Sequence, residues 1–208
     1  LAERGVAGRV LDLCCGFGRH SLALAELGLD VFGLDLSPEL LRESRGLPGA
    51  ERLAGRLVRG DATDLPFRPA SFDSVVNLFS SFGYFGELGD ARMLDEIARV
   101  LRPGGLAVMD LMNPAVVRAD LRAESHREGN DFTLREQRAL ADGGRRVTKD
   151  VELRFDDGGT RRWREDVRLY EYAEMRRLLD GRGLDAVEAW GDFTGGAKLE
   201  GCGGGGHG

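Results

Sequence analysis

With 208 residues, 42% of them hydrophobic and 31% charged, the chain is long enough for one globular domain with a modest appendage and too apolar to be disordered. A formal net charge of −6 argues against broad contact with a phosphate backbone, because non-specific nucleic-acid affinity comes from basic residues neutralising phosphates. No apolar run approaches the roughly 20 residues of a membrane-spanning helix and the first residues lack a secretory core, so the expectation is a cytoplasmic protein acting on a small molecule, with neither nucleic acid nor membrane as partner.

In chain order, residues 10–21 read VLDLCCGFGRHS, an apolar strand ending in an acid and a glycine-x-glycine turn. Leu22, Leu24, Ala25 and Leu27 follow at helical spacing. In such a corner the glycines let the backbone approach a ligand, and the N–H groups at the helix start favour an anionic group, phosphate or carboxylate. Cys14 and Cys15 are adjacent and Cys202 lies in a glycine-rich tail, which is neither a disulfide framework nor a metal site. They read as small residues in a crowded turn, with redox sensing as the alternative.

Residues 30–37 form a second short strand that closes on Asp35, and Ser37-Pro38 then starts a helix over PELLRESR. Residues 56–67 offer a third strand and a loop. Residues 71–85 offer a fourth strand, VVNLF, followed by a segment rich in aromatic and small residues. Met93, Leu94, Ile97, Val100 and Leu101 mark a helix that stops at RPGG, after which residues 106–112 read as a fifth strand. Strand alternating with helix predicts an open parallel α/β sheet whose ligand sits beyond the carboxyl ends of the strands.

From Pro114 the rhythm changes to three strands, FTLREQRAL, RRVTKDVELRF and TRRWREDVRLY, joined by DGG turns at residues 142–144 and 157–159. Val147, Val151, Leu153 and Phe155 share one face, interrupted by Lys149; Trp163, Val167 and Leu169 do the same in the third strand. Arg162, Arg164 and Arg168 take the other face, which reads as solvated or as attracting an acidic substrate. A helix over residues 171–183 and a sixth strand over residues 184–193 return to the main pattern. The predicted organisation is therefore an α/β core at 1–113, a β-meander insertion at 114–170, a return to the core at 171–193 and a flexible glycine-rich tail at 194–208.

Four separated features agree: the DLCCGFG loop, an acid closing the second strand 23 residues after Asp12, GDATDLPF after the third strand, and LRPGG before the fifth. Together they resemble class I S-adenosylmethionine-dependent methyltransferases of the bacterial small-molecule type, over roughly residues 10–193. The resemblance implies a Rossmann-like open, mostly parallel sheet with helices on both faces. It also implies S-adenosyl-L-methionine as methyl donor, S-adenosyl-L-homocysteine as product, and in-line transfer to a small-molecule N, O or C nucleophile.

Carried over residue by residue, the resemblance places Asp12, Cys15, Gly16 and Gly18 at the methionine portion of the donor. It places Asp35 on the ribose hydroxyls, Asp61 on the adenine amino group and the Ala62 N–H against the ring. Asn77, Leu78 and Phe79 would lie beside the methyl group, with Leu36 and Leu65 flanking adenine. Each acid also has a structural reading: Asp35 as a turn or cap residue, Asp61 in an Asx turn, Asp12 as a loop support. LRPGG reads as a structural turn. Tyr84 is the preferred substrate-side residue and His20 a candidate base, or else a helix-start residue; His126 lies in the linker to the meander and His207 in the tail. Phe82 and Phe85 read equally as core or as substrate contacts. No metal site is expected.

The insertion is expected to act as a lid or a homodimer contact, as such inserts do in related enzymes. Relatives carry a helical segment before the first strand and a final antiparallel strand, which GGAKLEGCGGGGHG cannot supply, so that strand is expected to be missing. Two other readings are a SAM-binding module that no longer catalyses and an NAD(P)-binding oxidoreductase. The latter's G-x-G-x-x-G/A pattern requires Gly or Ala where the chain has Ser21.

Overall fold

Near-continuous apolar runs are what strands buried on both faces require, and here they assemble in parallel. In a computed structural model, which describes residues 5–191, one sheet contains β1 (Arg9–Leu13), β2 (Asp30–Asp35), β3 (Leu57–Arg59), β4 (Phe72–Asn77) and β5 (Leu101–Met109). Their order is β3-β2-β1-β4-β5, and every neighbouring pair is parallel. The chain steps one way from β1 to β3 and the other way from β4 to β5. Right-handed crossovers then put α1 (Arg19–Glu26) and α2 (Pro38–Glu43) on one face and α3 (Gly86–Val100) on the other. The reversal falls between β1 and β4, whose carboxyl ends are where open sheets of this order hold their ligands.

On the α1 side, Leu24 packs with Val6, Val10, Val31 and Val76. Helix α3 buries Met93, Leu94, Ile97 and Val100, the positions its spacing singles out, each worth roughly 1.5–3 kcal/mol of apolar burial. The fourth strand begins and ends earlier than VVNLF suggests, and stops at Asn77 because Phe79 and Ser80 turn left-handed, at φ 65° and 55°. RPGG lies inside β5 rather than before it. Leu101 pairs with Phe72 and Leu106 with Ser74, so residues 102–105 bulge from the ladder, with Gly104 at φ 77°.

The chain divides into two compact units, the first holding the described residues up to 82 together with 88–111 and 181–184, the second holding 83–87, 112–180 and 185–191. The second unit comprises α4 (Pro114–Ala119), β6 (Glu124–Glu128), β7 (Phe132–Ala141), β8 (Arg146–Phe155), β9 (Thr160–Arg168) and α5 (Tyr172–Asp180). Its strands pair antiparallel in the order β6-β7-β8-β9. The three expected strands form. Strand β6 is additional: its sequence, ESHRE, is polar throughout and almost wholly exposed, so no apolar alternation signals it. His126 therefore lies in an edge strand, not in a linker.

Val147, Val151, Val167 and Leu169 are buried, and Met112, Val117 and Leu121 pack against the cluster of Val147, Val167 and Leu169. Lys149 tolerates the same face because Glu165 lies 2.8 Å away and Glu136 3.7 Å. Arginines of the opposite face are paired across strands, Arg162 with Glu152, Arg164 with Asp150 and Arg146 with Asp166, which leaves the face internally neutralised rather than open to an acidic ligand.

The strand expected over residues 184–193 does not form in its described part: residues 184–189 have no regular structure and Trp190 stands in an isolated bridge. Apolar residues fall on both alternating sets there, Leu184, Ala186 and Trp190 against Val187 and Ala189, so no single face drives pairing, and Val187 is exposed. Asp192, Phe193 and the glycine-rich tail, with Cys202 and His207, lie outside the described residues. Among the described residues no helix is long and apolar enough to cross a membrane.

One glycine is required by packing alone. A Cβ on Gly33 of β2 would sit 2.5 Å from the Leu57 side chain, 2.8 Å from Cys15 Sγ and 3.1 Å from Ser21 Oγ. Gly33→Ala is expected to destabilise the protein by about 1–3 kcal/mol and to lower the melting temperature by several degrees. Gly46→Ala, which meets nothing within 4 Å, should stay within about 0.5 kcal/mol of the parent in the same melts.

Candidate functional site

The carboxyl end of β1 turns through Cys14 at φ 60°, Gly16 at φ 59° and Gly18 at φ 84°, the last serving as N-cap of α1. The Cys15 N–H donates to Leu34 O at 3.0 Å, the Gly16 N–H to Asp35 Oδ2 at 2.8 Å and the Gly18 N–H to Cys15 O at 2.9 Å. These three donors are therefore consumed by the protein itself. The anion cradle expected from the glycine spacing is reduced accordingly, and the loop is a braced turn rather than an open nest.

Asp35 is the brace. Its Oδ2 accepts from Gly16 and its Oδ1 from the Ser37 N–H at 2.9 Å, while Ser37 Oγ caps α2 by accepting from Leu40 N. The structural and ligand readings of this acid are thus compatible. Each carboxylate oxygen keeps a second lone pair, and the residue is only half-buried.

Asp12 is 1% exposed and accepts from Ser21 Oγ at 2.6 Å, which ties β1 to the first turn of α1. Burial pushes its carboxyl up to about 6, against the Ser21 bonds, with the charge of Asp35 adding to the rise. Burial likewise pushes the Cys14 thiol up to about 12, with the charges of Asp35, Asp12 and Asp61 contributing, and raises Cys15 further. Neither cysteine offers the thiolate that redox sensing requires at neutral pH.

At the end of β3, Asp61 Oδ1 accepts from both the N–H and the hydroxyl of Thr63 at 2.8 Å, an Asx turn, and the Gly60 N–H donates to Asp35 O. Ala62 and Leu65 are buried, whereas Leu36 is 59% exposed. Asn77 is wholly buried: its Nδ2 donates to Leu13 O at 2.8 Å, and its Oδ1 has no hydrogen-bond partner. Leu78 packs on the α1 core, and Phe79 is 73% exposed with the Arg19 guanidinium 4.4 Å from its ring centroid.

All the expected donor-binding residues thus lie in the first unit, at the carboxyl ends of β1–β4. His20 stands beside them; burial and Arg19 lower its pKa while Asp110 opposes them, so a neutral imidazole dominates at pH 7. Tyr84 belongs to the second unit, where its hydroxyl donates to Glu165 at 3.1 Å. Burial and the Glu165 charge push the phenol up to about 12, which makes it a donor and not a base at neutral pH. Phe82 is buried as a core residue would be, and Phe85 is half-buried. No cluster of three or more metal-ligating side chains occurs among the described residues.

Sequence reasoning missed Arg19, Ser21, Gly33 and Asp110. Ser21 could have been found from its place on the first turn of α1, facing the strand that carries Asp12. The other three acquire meaning only from strand neighbours distant in sequence.

Residues 10–105 match the family model described as a methyltransferase domain. Nearly half of the chain is thus similar to methyltransferase domains. Over 114 residues it is 42% identical to a demethylmenaquinone methyltransferase of Clavibacter sepedonicus, covering 53% of this chain and 44% of that protein. Over 109 residues it is 42% identical to a phthiotriol/phenolphthiotriol dimycocerosates methyltransferase of Mycobacterium leprae, covering 50% and 37%. The chain thus spans less than half the length of these relatives. Among solved structures, an S-adenosylmethionine-dependent methyltransferase from Clostridium acetobutylicum shares the fold at 17% identity, with a TM-score of 0.70 over 86% of this chain and 74% of that one. A sugar N-methyltransferase from Streptoalloteichus sp. is similar at 25% identity, with a TM-score of 0.67 over 88% and 74%. The braced glycine loop thus opens the matched region.

The buried acid of β1 gives a pH signature with a definite sign. Folded Asp12 protonates near pH 6 and the unfolded chain near 3.8, so between those values the folded state holds the extra proton and stability falls as pH rises. Asp12→Asn keeps an acceptor for Ser21 and removes the titration. From pH 4 to pH 7.5, the urea-unfolding free energy of the parent should fall relative to that of Asp12→Asn, by up to about 3 kcal/mol. Parallel profiles for the two proteins would refute the assignment.

Proposed function

We propose that the protein transfers a methyl group from S-adenosyl-L-methionine to a nucleophilic N, O or C atom of a small molecule. The observation that carries the reading is the methyltransferase domain match over residues 10–105, which spans the braced loop, the acid at the end of β2, the GDATD loop and the end of β4. The residues present fit the donor. Asp35 retains lone pairs for two ribose hydroxyls, and Asp61 and the Ala62 N–H offer an acceptor and a donor to adenine. Similarity to a sugar N-methyltransferase supports a small polar acceptor.

When bound, the donor supplies a methyl group already activated on a sulfonium. What the chain must do is hold and exclude: Gly16 and Gly18 let the loop backbone approach the methionine portion, Asp35 fixes the ribose, and residues 77–79 form the wall beside the reacting atoms. An acceptor amine or hydroxyl that must lose a proton has His20 as a neutral base on this unit.

The reading is tested by thermal unfolding with S-adenosylhomocysteine, with NADH and with neither, on the parent and Asp35→Ala. Ligand at 100 times its dissociation constant should add about 2.7 kcal/mol of stability to the parent, NADH nothing, and the variant should lose most of the gain. A stabilisation by NADH alone would replace the methyltransferase reading with the oxidoreductase one. Binding without release of S-adenosylhomocysteine from any amino-sugar, phenol or quinol acceptor would reduce the protein to a binding module.

A further inference from the structure

We propose that Asp110 is a positioning residue for the donor site, acting through the backbone of residues 77–79; the proposal rests on the reading that this end of the sheet binds S-adenosylmethionine. Asp110 follows the last ladder residue of β5, and its N–H donates to Asn77 O at 2.8 Å, which extends the pairing of Met109 with Asn77 by one step. Its carboxylate Oδ2 then reaches across and accepts from the Phe79 N–H at 3.0 Å. One residue therefore grips the chain on both sides of Leu78.

What it grips is strained. Phe79 and Ser80 carry side chains in the left-handed region, at φ 65° and 55°, which non-glycine residues visit rarely and pairs of them more rarely still. Such a conformation persists only where surrounding contacts over-determine it, and it concentrates at functional sites. Two contacts do so here: the Asp110 clamp on the backbone and the Arg19 guanidinium on the Phe79 ring at 4.4 Å. Asn77 completes the arrangement by holding Leu13 O, so the ends of β1, β4 and β5 are laced side by side where the strand order reverses. A turn of this kind carries the backbone out of the sheet plane and leaves the Phe79 side chain exposed.

The clamp works by a placed acceptor oxygen rather than by charge, and this separates the variants. Asp110→Asn keeps an oxygen at the same distance, Asp110→Glu keeps the charge but moves the oxygen by a methylene, and Asp110→Ala keeps neither. Calorimetric titration with S-adenosylhomocysteine should find Asn within about threefold of the parent, and Glu and Ala weakened about tenfold or more. Melting curves without ligand should remain cooperative for Asn and Glu. If Asp110→Ala fails to fold, the Asn and Glu pair carries the comparison. Affinity unchanged in both Glu and Ala would overturn the proposal, as would an Asn variant no better than Glu. A parent that binds no S-adenosylhomocysteine would instead remove the donor site itself, leaving the two failures distinguishable.

Discussion

The loop after β1 lies so close to β2 that a single Cβ on Gly33 would collide with Cys15 and Ser21, and the ligand end of the sheet depends on that approach. It brings the Cys15 N–H to Leu34 O and the Gly16 N–H to Asp35, so the loop is fastened to the strand whose last residue is the ribose candidate. The same closeness buries Asp12, and that desolvation raises its pKa while the Ser21 hydrogen bond offsets part of the rise. Glycine at 33, a small thiol at 15 and a hydroxyl at 21 are one packing solution rather than three separate choices.

A second consequence is where strain accumulates. Five non-glycine residues among those described have positive φ, and three of them, Cys14, Phe79 and Ser80, lie at the carboxyl ends of β1 and β4. At roughly 1–3 kcal/mol each, these conformations cost as much as several good hydrogen bonds contribute. The bonds are present in about that number: Asn77 to Leu13, Asp110 to both Asn77 and Phe79, and the fastenings of the glycine loop to β2. Strain and its restraints meet where the strand order reverses, which is where an open parallel sheet exposes its crevice.

How much of this was legible in the sequence follows from the range of the interactions. Periodicity marked β1, β2, α1 and α3 because their apolar spacing is a local property, and the glycine loop and Asp35 stood out because their spacing along the chain is short and regular. The meander was legible from its DGG turns and alternating faces. Strand β6 was not, since a charged edge strand carries no apolar signal, and a weak two-sided alternation after residue 183 suggested a strand where none forms in the described residues. Arg19, Gly33 and Asp110 were silent because their partners, Phe79, Cys15 and the Phe79 backbone, are fixed by strand neighbours far away in the chain.

The charge arrangement around the loop bears on which ligand class it suits. A dinucleotide site offers a pyrophosphate a set of free N–H groups at a helix N-terminus. Here the N–H groups of Cys15, Gly16 and Gly18 are already spent within the protein, while Asp12, Asp35 and Asp61 all lie close enough to raise the Cys14 pKa. A phosphate brought to the turn of residues 15–18 would meet that negative charge without these three donors. A ligand that presents hydroxyls and a positive centre meets acceptors instead, the two half-used oxygens of Asp35. The bracing that limits the loop as an anion site thus favours a cationic ligand, and a sulfonium nucleoside bearing an amino acid has that character.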